Sequence, residues 1–91
     1  MTIDQMKQKA RERLAHAFRE AARLYLRFKN TPSDEEELYE DRYEDFSMLA
    51  RKIDVMWMEY VELELMTVDE CYEIREKLFF EPGKALEGKE D

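Results

Sequence analysis

Glycine and proline are nearly missing from this chain: of its 91 residues only Gly83, Gly88, Pro32 and Pro82 interrupt it, and three of those four lie in the last ten positions. A chain without turn-formers cannot make the frequent reversals of a sheet, so its long uninterrupted stretches point to helices. Cysteine is as scarce. Cys71 stands alone, which excludes an intrachain disulfide. With no export signal in the charged, amphipathic N-terminal stretch, it points to a reducing cytoplasm. Long apolar runs are lacking too, so no segment reads as a membrane span.

The chemistry-bearing patterns are equally thin. His16 is the only histidine. With Glu12 and Glu20 it forms an E-x3-H-x3-E series on one helical face, but a di-iron carboxylate site needs Glu-x-x-His pairs from two helices. Arg13, Arg19 and Arg23 stand close by and repel a cation, so the series reads as a solvated, ion-paired face, and neither metal nor cofactor is expected. Cys71 falls in the first turn of a helix, where the dipole favours a thiolate; Asp69, Glu70 and Glu73 oppose that, and its spacing suits a small core side chain. Ser33 and Ser47 have no base partner, and no phosphate-binding loop exists. The chain is not expected to be an enzyme.

What is present begins with three helix starts. Thr2-Ile3-Asp4-Gln5, Ser33-Asp34-Glu35-Glu36 and Thr67-Val68-Asp69-Glu70 each place a hydroxyl three residues before Glu or Gln. In such a capping box the hydroxyl accepts from the backbone N–H three residues on, and the Glu or Gln reaches back to the cap. The first helix is predicted over residues 3–29. Its apolar positions Ala10, Leu14, Ala17, Ala21, Leu24 and Phe28 step by four and three, with Phe18 and Tyr25 widening the stripe. Asn30 and Thr31-Pro32 end it. The second is predicted over residues 34–65, its stripe running through Tyr39, Tyr43, Phe46, Leu49, Ile53, Met56, Tyr60 and Leu63. The third covers residues 68–80, with Val68, Cys71, Ile74 or Arg75, and Leu78 inward; Glu81-Pro82-Gly83 closes it.

The fold class is therefore all-α: a long antiparallel helical hairpin plus a shorter third helix. Residues 1–81 make a single helical domain, and residues 82–91 a polar tail expected to be flexible. A domain this small buries only about 60–65% of the surface its unfolded chain exposes, so oligomerisation is the natural supplement. The second helix supports that. Past Ile53 its apolar residues leave one face: Val55, Trp57, Met58, Val61 and Leu65 flank the main stripe. Three arrangements can cover them: a folded-back third helix in a monomer, a second copy in a homodimer and larger bundle, or a partner filling a methionine-lined groove. The homodimer is the expectation carried forward, with those five residues as its interface.

Charge is the other asymmetry. Residues 1–30 hold eight Lys or Arg against three Asp or Glu, while residues 31–91 hold seven against twenty, which together give the net −8 of the chain. In an antiparallel hairpin the basic end of the first helix (Arg19, Arg23, Arg27, Lys29) lies beside the acidic start of the second, and the two blocks are expected to pair. Alternatively Glu35, Glu36, Glu37, Glu40, Asp41, Glu44 and Asp45 form a row of carboxylates that docks on a basic, nucleic-acid-binding protein by imitating phosphates. Nucleic acid itself is not the expected partner, since its binders show a basic domain or stripe.

Overall fold

The computed structural model describes residues 1–32 and 34–81. Three helices and no strand occur among them: α1 (Ile3–Lys29), α2 (Glu36–Glu62) and α3 (Val68–Arg75), the last running on into a π-helical segment, Glu76–Phe80. The all-α hairpin with a shorter third helix is thus present, drawn out to 51 × 27 × 18 Å. At about 1.5 Å per residue each long helix spans roughly 40 Å.

The bounds of α1 follow from its ends. The Thr2 hydroxyl accepts from the Gln5 N–H at 3.1 Å and the Gln5 side chain accepts from the Thr2 N–H at 3.0 Å, which completes the capping box. At the other end Asn30 caps the helix, its N–H donating to Leu26 O at 3.0 Å. The start of α3 keeps half of the same device. The Thr67 hydroxyl accepts from the Glu70 N–H at 3.1 Å, while the Glu70 carboxylate accepts from the Thr67 hydroxyl at 3.3 Å and from Arg11 Nε at 2.8 Å. The box expected at Ser33 and the polar tail at residues 82–91 lie outside the described residues.

Helix α2 is shorter than predicted at both ends. It begins at Glu36 with no side-chain cap on Glu35 and stops at Glu62, three residues before the expected Leu65. The stop is a Schellman turn: Leu65 N–H donates to Tyr60 O at 2.9 Å and Glu64 N–H to Val61 O at 3.1 Å. That geometry places one residue in the left-handed region, normally glycine; here it is Glu64, with φ 59°. Leu63 therefore caps the helix rather than continuing its stripe, and is 66% exposed.

The central element is α1. Ala10, Leu14, Ala17, Phe18, Ala21, Ala22 and Phe28 are all buried in it, because α2 packs along one side while α3 and the π-helical segment pack along another. The alanines leave room for both neighbours to approach. Helix α2 buries Ile53 alone. The third helix contributes buried Cys71, with Ile74 and Leu78 half-buried on the core. Arg75, the alternative to Ile74, is exposed and lies over the Tyr72 and Phe80 rings at 4.6 and 5.4 Å. The wider π turn, closed by Glu81 N–H to Glu76 O, sets Phe79 against both Tyr25 (5.6 Å) and Phe46 (5.9 Å, stacked).

Candidate interaction surface

Where the N-terminal half of α2 runs beside α1, the seam is aromatic. Phe28 meets Tyr39 at 4.6 Å and Tyr43 at 5.4 Å, and Tyr25 meets Phe46 at 5.5 Å between ring centres. These contacts point one face of α2 at α1 and leave the acidic residues to its other faces. Glu35, Glu36, Glu37, Glu40, Asp41, Glu44 and Asp45 are all exposed. The pairing expected between them and the basic end of α1 does not form: the ion pairs among the described residues are Arg11–Glu70, Arg23–Glu20 and Lys77–Glu73.

One basic residue inside the acidic stretch does reach α1. Arg42 is half-buried, and its Nη1 donates to the Thr31 hydroxyl at 2.9 Å and to Arg27 O at 3.4 Å. Thr31, itself buried, donates its hydroxyl to the same carbonyl at 2.9 Å. A guanidinium at a helix C-terminus satisfies carbonyls that lack helical partners and faces the negative end of the dipole. In the sequence Arg42 is one cation among carboxylates, with no local pattern to mark it.

The predicted interface residues divide. Trp57 is half-buried, its ring 6.1 Å from Tyr72 and its Nε1 donating to Asp54 Oδ1 at 3.3 Å. Val61 and Leu65 are also half-buried and pack on the core beside Met66. Val55 and Met58, by contrast, are 61% and 54% exposed. Because α3 lies along α1, the face of α2 opposite Ile53 stays bare. Met48, 51% exposed and seven residues before Val55, belongs to that same face. It lies before Ile53, outside the stretch where the apolar residues leave one face, yet its seven-residue spacing from Val55 is legible in the sequence. Exposed Arg51 and Glu62 complete the row.

The remaining candidates show ordinary chemistry. His16 and Glu20 border an open groove lined by Ala17, Leu49 and Met56. Hydrogen bonding to Arg23 holds the Glu20 carboxyl below its usual range, and Glu12 accepts from Gln8 Nε2 at 3.1 Å. No group of three or more metal-ligating side chains is gathered among the described residues. Burial, aided by the nearby Glu70 charge, pushes the Cys71 thiol up, away from the reactive thiolate. The Arg11 guanidinium, hydrogen-bonded at 2.8 Å, holds the Glu70 carboxyl below its usual range. No described helix is long and apolar enough to cross a membrane. No protein family, no curated protein and no solved structure matches the chain.

Proposed function

We propose that this chain is a helical protein–protein interaction module of the cytoplasm, acting without catalysis and pairing with a second copy of itself through the outer face of α2. One observation carries the reading. The third helix packs along α1, so Met48, Val55 and Met58 stand in one exposed row on the face of α2 turned away from the core. Side chains of that size, aligned and uncovered on a small domain, mark a contact surface. Light scattering after gel filtration tests it. A dimer mass that persists in high salt is the expected result, and Val55→Glu or Met58→Glu is expected to give a monomer of unchanged helix content. A monomer mass for the unaltered chain at every concentration overturns the reading.

A second reading has its own support. The carboxylates of residues 35–45 are exposed and no ion pair links them to α1, which leaves their field free to attract a strongly basic protein. In that reading the chain is an acidic decoy or inhibitor. Polylysine binding that weakens steeply with salt, and that Glu40→Lys/Glu44→Lys abolishes, supports it; a complex insensitive to salt or to those substitutions rules it out.

A further inference from the structure

We infer that two copies pair antiparallel through α2, with Arg51 of each opposite Glu62 of the other; the inference rests on the homodimer reading above. Met48, Arg51, Val55, Met58 and Glu62 recur at three- and four-residue steps, the spacing of a coiled-coil seam. They line the face of α2 opposite Ile53, the residue this helix gives to the core. Met48, Val55 and Met58 are 51%, 61% and 54% exposed. Arg51 and Glu62 are exposed as well, and neither takes part in the ion pairs of the described residues.

The order of these side chains selects the orientation. Run antiparallel about a two-fold axis between Met56 and Trp57, the seam matches itself. Val55 meets Met58, Arg51 meets Glu62, and Met48 meets the turn after the partner's helix, where Leu65 lies. Each match occurs twice by symmetry. On the flank, exposed Lys52 comes within reach of exposed Glu59 of the other copy. The overlap from Met48 to Glu62 is about 21 Å long.

Competing arrangements bring like charges together or set apolar side chains against charge. A parallel pair puts Arg51 on Arg51 and Glu62 on Glu62, and sets the two acidic stretches of residues 35–45 side by side. Sliding the antiparallel pair by one heptad in one direction puts Glu44 on Glu62 and leaves Arg51 against Val55; in the other it sets Met58 against Glu62. The proposed register alone joins apolar to apolar and opposite to opposite charge, and it sends the acidic ends of the two helices in opposite directions. For a chain of net charge −8, that separation lowers the repulsion between copies.

Charge reversal tests the register. Arg51→Glu and Glu62→Arg are made singly and together in the full chain, and association is measured by sedimentation equilibrium, with circular dichroism as the control for folding. Each single reversal places two like-charged pairs in the seam and is expected to weaken association by about tenfold or more. The double variant recreates both pairs with exchanged signs and is expected to recover the affinity of the unaltered chain, a rescue that a parallel pair cannot show. If the unaltered chain dimerises but the single reversals leave its affinity unchanged, or the double variant is as weak as the singles, the register is wrong while the homodimer stands. If the unaltered chain is a monomer throughout, the homodimer reading itself falls and the register with it.

Discussion

The two long helices are equal in length, twenty-seven residues each, yet α1 buries seven of them and α2 one. Composition does not account for this, since α2 is the more apolar of the two. Placement does. Four of the seven buried side chains of α1 are alanines, on two adjoining faces, so helices can pack along both. The apolar side chains of α2 are mostly large and spread around it, so α1, with Tyr72 and Phe79 reaching over from beyond, covers only a fraction of them. What makes a helix central is how closely others can approach it, and alanine serves that better than methionine.

The contrast is most readily broken at Leu14, which is fully buried against both neighbours. Leu14→Ala is expected to cost about 3–5 kcal/mol in urea unfolding. Val55→Ala on α2, measured at low protein concentration, is expected to stay within about 0.5 kcal/mol of the unaltered chain. Equal losses at the two sites would show that α2 is as enclosed as α1. Next in size is Arg42→Met, which leaves the Thr31 hydroxyl and the Arg27 carbonyl without the guanidinium that joins the helices. A loss of about 1–2 kcal/mol is expected. Amide exchange in the last turn of α1 should quicken with it.

Two smaller effects concern how the third helix reaches α1. Replacing Glu64 with glycine relieves a side chain held at positive φ, and thermal unfolding should then report a gain of about 0.5–1 kcal/mol. The Arg11–Glu70 pair is mostly exposed, so Arg11→Gln should cost less than about 1 kcal/mol at neutral pH. Its pH dependence has a fixed sign. Glu70 has its carboxyl lowered in the folded chain, chiefly by the hydrogen bond from Arg11, so its contribution is present above the ordinary carboxylate value. That contribution is lost as pH falls through the lowered one. The gap between the two chains in urea midpoint should therefore close on acidification toward pH ~3; a gap that widens there contradicts the assignment.

Local signals carried much of the fold. Thr2 and Asn30 mark both ends of α1, and Thr67 marks the start of α3, because caps act within a few residues of the chain. The end of α2 was not legible, since a Schellman turn built on Glu64 lacks the glycine that announces one. Nor was the choice of neighbour for α3. Periodicity shows that a helix has an apolar face, but not which of two long helices it will meet. The expected pairing of acidic and basic blocks failed for a related reason: opposite charges near each other in sequence terms do not aim their side chains, and the aromatic seam of Phe28, Tyr39 and Tyr43 turned the carboxylates outward. Of the five apolar side chains that flank the stripe of α2, Val55 and Met58 are exposed. Trp57, Val61 and Leu65 are half-buried, because periodicity alone does not say which part of the helix's apolar girth faces the core.

The sandwiching of α1 has a consequence for the order of unfolding. Arg11 and Glu70 join positions 59 residues apart, and α3 docks on the helix that is synthesised first. A hairpin of α1 and α2 without the third helix leaves one flank of α1 uncovered, with Phe18 and Ala21 no longer beside Phe79. The eight residues of α3 bury Cys71 alone, so hydrogen exchange should find α3 released as a unit while the hairpin endures.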